Sequence, residues 1–378
     1  MVEVVVIGAG QAGLSAGWNL LRKGAAPGED FVILDANEGP GGAWRHRWPS
    51  LTLGVAHGIH DLPGFPQSPA DPSEPASSVV ARYYGAYEAE FGLPVLRPWR
   101  VESVADAPDG VRVRVTSAHA VTGEKRVDDA RAVINATGTW DQPYWPYYPG
   151  SESFHNRQLH TRDFTDAADF VGQRVLVVGG GASAVQFLLP LADAGATTIW
   201  STRRAPVFGR RVFDREWGRD VERAVEARTE QGLPTLPVVA TTGLPLTPEY
   251  QRGIDAGILV SRGPLKRLTE RGVVFAGVAS DQAGDLMPAW SGGPVDVDVI
   301  VWATGFRPAI RHLAPLRLRT PEGGLKVHRT QLVNDPRIFV AGYGAGASTI
   351  GATRTGRQAA VAAWRFVADG SGVETLVE

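Results

Sequence analysis

The sequence predicts an α/β fold built from two doubly wound units, the second inserted into the first. Three observations carry that prediction. A short apolar run, a Gly-rich turn and a helix-like segment follow one another twice, from Val4 and again from Val175. Each unit is followed later by an Ala-Thr-Gly turn at the end of another apolar run, Ala136-Thr137-Gly138 and Ala303-Thr304-Gly305. The chain has 378 residues, too many for one small core and enough for two domains of ordinary size.

Val4-Val5-Val6-Ile7 reads as a first strand, and Gly8-Ala9-Gly10-Gln11-Ala12-Gly13 as the turn that opens a helix. Leu14, Trp18 and Leu21 keep helical spacing, with Gly24 as a stop. Phe31-Val32-Ile33-Leu34 has the continuous apolar character of a parallel strand buried on both faces. Residues 36–75 are rich in Gly, Pro and His and keep no period, so they read as a long functional loop. Residues 78–92 read as a helix with Val79, Tyr83 and Tyr87 on one face. Residues 99–136 read as a β-meander, in which Val111 to Val115 alternate after the turn Ala107-Pro108-Asp109-Gly110. Pro143, Pro146, Pro149 and Gly150 mark a domain crossover.

Val175 to Val178 then lead into Gly179-Gly180-Gly181-Ala182-Ser183-Ala184. A charged, mostly helical stretch is expected over 213–231 and one apolar strand over Val295 to Val301. Another strand and turn run from Ile338 to Gly342, and a closing helix covers 349–368. The expected architecture is therefore two Rossmann-like dinucleotide-binding domains. Residues 1–145 form the first part of one, 146–297 the inserted second, and 298–378 the final part of the first.

Composition narrows the chemistry. Apolar residues make up 43% and charged residues 21%, as in globular proteins, and a net charge of −2 offers nothing to nucleic acid. With no cysteine, disulfide exchange, thiolate catalysis, iron–sulfur clusters and Cys-bound zinc are excluded. The eight histidines show no ligand spacing, so no metal is expected. The apolar start reads as a strand and not as a leader, and no stretch is long enough to span a membrane. A cytoplasmic protein with a small-molecule partner is expected, and a homodimer stays open.

The two fingerprints differ at the strand ends beyond them. In the first, Gly8 suits a tight turn, Gly10 a close approach to a pyrophosphate, and Gly13 close helix packing, with the helix N-terminus facing the anion. Its second strand ends in Asp35, an acid suited to a free ribose 2′-hydroxyl. In the second, Gly179 and Gly181 take the first two places and Ala184 the third. The strand after it ends in Arg203-Arg204, whose forks suit a 2′-phosphate; solvated surface charge is the alternative. Arg210 and Arg211 are weaker candidates. One chain with both ends points to FAD and NADPH, hence to redox chemistry. Gly41-Gly42-Ala43-Trp44 lets the chain pass close to a flat ring, with Trp44 either walling a pocket or packing in the core. His46, His57 and His60 share that loop.

Together these residues resemble the flavin-containing monooxygenases (class B flavoprotein monooxygenases), a family that includes Baeyer–Villiger and N-hydroxylating enzymes. The short bacterial members are the most similar in length. Besides the fingerprints and Gly41 to Trp44, the resemblance rests on Asn135-Ala136-Thr137-Gly138, Trp302 to Pro308 and Ala341-Gly342-Tyr343-Gly344. The family signature F-x-G-x-x-x-H-x-x-x-F/Y is matched from Phe154 through His160 to Phe164, with Asn156 in the glycine's place. Phe164 is similar to the amine- and sulfide-oxygenating branch, whereas the Baeyer–Villiger branch usually carries tryptophan there.

The resemblance implies that FAD lies against Gly8, Gly10, Gln11, Ala12 and Gly13, with Asp35 and Ala36 at its ribose. Gly42, Ala43 and Trp44, Thr137 and Gly138, and Gly342 and Thr349 complete that site. NADPH is implied at Gly179, Gly181, Ala182, Ser183 and Ala184, at Arg203 and Arg204, and at Ala303, Thr304 and Gly305. Trp48, Leu53, His57 and His60 are the implied substrate pocket, Leu53 falling where the Baeyer–Villiger branch has an acid. The family's active-site asparagine has no counterpart between Asn37 and Asn135.

The implied reaction forms a C4a-(hydro)peroxyflavin from O2 and oxygenates a sulfide or amine, with ketones as a Baeyer–Villiger extension. No side chain need act as nucleophile. The alternative is an NADPH oxidase or flavin reductase without oxygen insertion.

Overall fold

The computed structural model describes residues 2–54, 56, 59–209, 223, 225–235 and 243–369. The described residues fall into two compact units. One comprises Met1–Asp141, Asp220–Leu236 and Pro308–Glu378; the other comprises Gln142–Arg219 and Pro237–Arg307.

In the first unit the apolar run Val4–Ile7 becomes β1, paired in parallel with β2 (Phe31–Leu34) on one side. Further strands are β3 (Val95–Leu96), β4 (Trp99–Asp106), β5 (Val113–His119), β6 (Lys125–Ala130) and β7 (Ala132–Asn135). β7 takes the other side of β1, and the parallel core is closed by β3 beyond β2 and by a late strand, Ile338–Val340, beyond β7. Alternate side chains of β1 enter different cores. Val4 and Val6 pack with α1 (Gln11–Arg22), α2 (Ala76–Glu90) and the last helix, Thr349–Ala368. Val5 and Ile7 pack with the antiparallel sheet β4-β5-β6 and with Leu313. Both faces are covered, which is why the strand sequences are apolar throughout rather than alternating.

The second unit repeats the plan. Its parallel sheet is built from β8 (Arg157–His160), β9 (Arg174–Val178) and β10 (Thr197–Ser201), with Val299–Trp302 between β8 and β9. Helix α3 (Ala182–Asp193) follows β9 and runs on through Pro190. Leu176, Ile300 and Trp302 turn their other face onto an antiparallel sheet of Leu265–Leu268, Gly272–Phe275 and Gly293–Asp296.

Three expectations need correction. The apolar run Val295 to Val301 is two strands in two sheets. Gly293–Asp296 pairs antiparallel with Gly272–Phe275, and Val299–Trp302 joins the parallel sheet. Between them, Asp298 accepts from Arg174 Nη2 at 2.8 Å and from its backbone N–H at 2.7 Å, which fixes the corner. The last stretch of the first unit begins at Pro308. The last strand of the expected meander, β7, leaves it for the parallel sheet. Val111 is exposed, because Asp109 holds the Val111 and Arg112 N–H groups in a turn at 2.9 Å each. Most of the expected helical stretch 213–231 lies outside the described residues; Val225 to Glu230 are helical.

Candidate functional site

At the carboxyl end of β1, Gly8 adopts φ +101°, and a Cβ there would lie 2.7 Å from the Ala136 carbonyl oxygen. The first fingerprint glycine is thus wedged against the Ala-Thr-Gly turn of the neighbouring strand. A Cβ on Gly13 would lie 1.8 Å from the Gly8 oxygen, so only glycine allows α1 to start this close to its strand. Gly42 crosses the fingerprint, since its Cβ would come within 2.8 Å of Gly10 Cα.

The last helix begins at the same place. Gln11 Nε2 donates to the Thr349 carbonyl at 2.6 Å and to Thr353 Oγ1 at 2.9 Å. The Gly342 N–H donates to Thr355 Oγ1 at 3.1 Å, and Ala12 Cβ lies beside it. Thr137 Oγ1 donates to the Ala309 carbonyl at 2.7 Å, and the Ala309 N–H returns a bond to Gly138 at 2.9 Å. Asn135 Oδ1 accepts from His312 Nε2 at 2.6 Å. Burial pushes the His312 pKa down to about 4, so its ring is neutral and donates. The expected first-site residues Gly8 to Gly13, Gly42, Thr137, Gly138, Gly342 and Thr349 are therefore brought together.

Asp35 is buried and already engaged. Its Oδ2 accepts from Arg97 Nε at 2.9 Å and its Oδ1 from Asn37 Nδ2 at 3.1 Å. Arg97 also forks onto Glu88 at 2.6 and 2.7 Å. Ala36 is half-buried beside it; Ala43 is exposed, and Trp44 is half-buried against the helical core. Neither Arg97 nor Glu88 carries a motif that the sequence reading could have used.

The expected substrate loop is anchored to α2. The Tyr83 hydroxyl accepts from the Leu62 N–H at 2.7 Å and donates to the Phe65 carbonyl, and Tyr87 donates to Pro63 at 3.1 Å. Trp48 and Leu53 are half-buried, His60 is exposed, and His57 lies outside the described residues. Arg47 belongs to no sequence motif named above. Its Cζ lies 4.5 Å from the ring centroid of Trp140 and 5.9 Å from that of Trp44.

The second unit reproduces the wedge. Gly179 has φ +144°, and its Cβ would fall 2.1 Å from the Ala303 oxygen. Ala184, fully buried, occupies the third place. Ala182 opens the helix with Ser183 exposed beside it. At the end of β10, Thr202 and Ser261 are buried and bond each other at 2.7 Å, and Thr202 Oγ1 donates to the Arg204 carbonyl at 2.7 Å. This network fixes the turn that carries Arg203 and Arg204, both exposed and without an ion pair among the described residues. Arg210 and Arg211 lie outside them.

Thr304 Oγ1 donates to the Tyr144 carbonyl at 2.5 Å. The Gly305 oxygen accepts from the Tyr144 N–H at 2.9 Å and from His160 Nε2 at 3.0 Å. His160 is wholly buried, which pushes its pKa below the usual range, and its Nδ1 accepts from the Arg162 N–H at 3.3 Å. The signature histidine thus serves the second Ala-Thr-Gly turn. Phe164, the signature's last residue, packs on Phe170 and Phe187 at 5.6 and 4.5 Å, under α3. Asn156 uses its side chain where the family has glycine, donating to the Val297 carbonyl at 2.8 Å.

Both cradles have the form a dinucleotide needs. A Cβ on Gly138, Gly181 or Gly305 would meet no atom within 4 Å, so the backbone at these turns is open to a ligand. Both helix N-termini are capped by a glycine, Gly10 and Gly181, with no side chain covering the first N–H groups. Among the described residues no group of His, Asp and Glu could hold a metal ion, and no helix is long and apolar enough to cross a membrane.

A family model described as pyridine nucleotide-disulphide oxidoreductase matches residues 5–236. The chain is 35% identical to a flavin-containing monooxygenase from Stenotrophomonas maltophilia, covering 97% of this chain and 98% of that one with a TM-score of 0.75. It is 29% identical to a Baeyer-Villiger monooxygenase from Streptomyces coelicolor, over 81% of this chain and 64% of that protein. It is 27% identical to an uncharacterized oxidoreductase of Bacillus velezensis, over 55% of this chain and 56% of that protein. The chain thus spans less than two thirds of the length of these last two relatives. With two open glycine cradles, the retained signature and a likeness running the length of a bacterial homologue, the chain belongs to the pyridine nucleotide-disulphide oxidoreductase family and, within it, to the flavin-containing monooxygenases.

Proposed function

We propose that this chain is an FAD-dependent monooxygenase that consumes NADPH and O2 and oxygenates a small soft nucleophile, a sulfide or an amine. The observation that carries this reading is the pair of fingerprints with unlike ends: buried Asp35 after the first, exposed Arg203-Arg204 after the second. FAD would be held by Gly8, Gly10, Gly13, Gly42, Gly138 and the start of the last helix, and NADPH by Gly179, Gly181, Gly305 and the two arginines. When bound, these groups supply hydride transfer and dioxygen activation; the chain has no cysteine, and no group of His, Asp and Glu among the described residues could hold a metal ion. The protein's part is to hold both dinucleotides by backbone N–H groups and to keep the turns in place through His312 and His160. Phe164 in the last signature position favours sulfides and amines, and the Streptomyces relative's name keeps ketones as a secondary substrate class.

The balance is substrate + NADPH + H+ + O2 giving oxide + NADP+ + H2O. The test supplies the FAD-loaded protein with NADPH and methyl phenyl sulfide under 18O2. One labelled oxygen in the sulfoxide, with NADPH consumed in step, is the expected result. NADPH consumption matched by H2O2, with no sulfoxide, would contradict it.

A further inference from the structure

Arg47 is a cation of the first unit's loop that the family signature does not explain. It comes directly after the turn Gly42–His46, whose first residue lies against Gly10. Trp140 comes two residues after Gly138, at the same carboxyl edge of the parallel sheet where ligands of open α/β sheets bind. The guanidinium carbon lies over the Trp140 ring at 4.5 Å and, further off, over the Trp44 ring at 5.9 Å. His46 backs this cluster, stacked on Trp140 at 6.2 Å and 15° and bonded through Nε2 to Asn37 Oδ1 at 2.6 Å.

A guanidinium placed over an aromatic ring keeps its N–H groups as hydrogen-bond donors. The Arg47 guanidinium has no hydrogen bond or ion pair among the described residues; the residue's backbone N–H donates to the Trp44 carbonyl at 3.0 Å. Asp35, at the end of β2, holds Arg97 at 2.9 Å, and Asp141, next to Trp140 in sequence, lies 3.9 Å from Arg100; no ion pair among the described residues joins either to Arg47. Burial pulls the Arg47 pKa down to about 10, so it stays a cation at neutral pH. A half-buried cation without an internal partner is costly, and an anion from outside relieves that cost. The fork of N–H donors matches a carboxylate in two parallel bonds.

We propose that Arg47, packed over Trp140 and near Trp44, binds a carboxylate on the organic substrate, so that acidic thioethers are selected over neutral ones. The identity of the ligand as substrate rests on the oxygenation reading above; the anion preference of Arg47 does not.

The probes are (phenylthio)acetate and its methyl ester, which differ in charge at one end and keep the same sulfur. Binding of each to the FAD-loaded protein is measured by calorimetry, alongside sulfoxide formation and bound flavin. The acid should bind roughly ten- to hundredfold more tightly than the ester, the range of a charge-assisted pair. In Arg47→Gln that ratio should fall to about one, and Arg47→Lys, which keeps the charge but not the fork, should keep part of it. Equal binding of acid and ester to the native protein would overturn the proposal. So would a ratio unchanged in both variants, or loss of FAD from both, which would assign the guanidinium to the cofactor's diphosphate. If the preference depends on Arg47 but neither probe yields sulfoxide, the oxygenation reading fails and the anion site stands. If both probes are oxygenated without preference, the reverse holds.

Discussion

The two glycine fingerprints solve one packing problem and diverge at the strand end that follows each. In both, the first glycine lies in the left-handed region with its Cα against the carbonyl of an Ala-Thr-Gly turn, Gly8 on Ala136 and Gly179 on Ala303. In both, the threonine of that turn donates to a backbone carbonyl, Thr137 to Ala309 and Thr304 to Tyr144. In both, a buried histidine steadies the turn, His312 through Asn135 and His160 through Gly305. The differences are the third glycine, Gly13 against Ala184, and the strand end, a buried acid bound by Arg97 against two exposed arginines. On the proposed reading, the cradle is generic and the strand end selective.

The sharpest way to break the symmetry is at the third position. Gly13→Ala sets a Cβ 1.8 Å from the Gly8 oxygen and should cost about 3 kcal/mol and yield protein without flavin. Ala184→Gly should cost only about 1 kcal/mol, the penalty of glycine in a helix, and leave FAD in place. Absorbance of bound flavin and denaturant unfolding read both. Retention of flavin by Gly13→Ala would mean that α1 can move away from its strand.

The histidines test the turns. The His312 pKa is about 4 when folded against 6.5 as its ordinary value, so the unfolded chain binds a proton that the folded chain refuses. Its contribution is intact above pH 6.5 and is lost as pH falls from about 6.5 to about 4, amounting to roughly 3 kcal/mol. His160 acts in the same direction. Unfolding free energy measured across that window should slope downwards towards acid, and less steeply in His312→Gln. An identical slope in the variant would remove His312 from this role.

At the strand end, Arg203→Ala should raise the NADPH KM roughly tenfold and leave NADH use nearly unchanged, since only the 2′-phosphate contact is removed. Equal effects on both would show that the arginines do not read that phosphate. The smallest effect belongs to Asn156→Gly, which restores the family residue and removes one bond to Val297, at about 1 kcal/mol by unfolding.

What the sequence made legible was local. Glycine spacing, strand runs and the closing helix depend on neighbours within a turn or two, and Thr349–Ala368 matches its expected span. Long-range partners left no such mark. The Arg97 that occupies Asp35 lies 62 residues away, and His312 is 177 residues from Asn135. Arg47 draws its meaning from Trp140, which no period connects to it. The run Val295 to Val301 was apolar throughout, and only the antiparallel and parallel partners divide it.

On the proposed reading, one chain holds two different dinucleotides in two separate cradles. Calorimetric titration of the FAD-loaded protein with NADP+ tests it most directly, with bound flavin followed by absorbance. The expected result is one FAD and one NADP+ per chain with no displacement, the FAD lost in Gly13→Ala and the NADP+ lost in Gly179→Ala. Displacement of FAD by NADP+, or loss of both nucleotides from either variant while it remains folded, would contradict it.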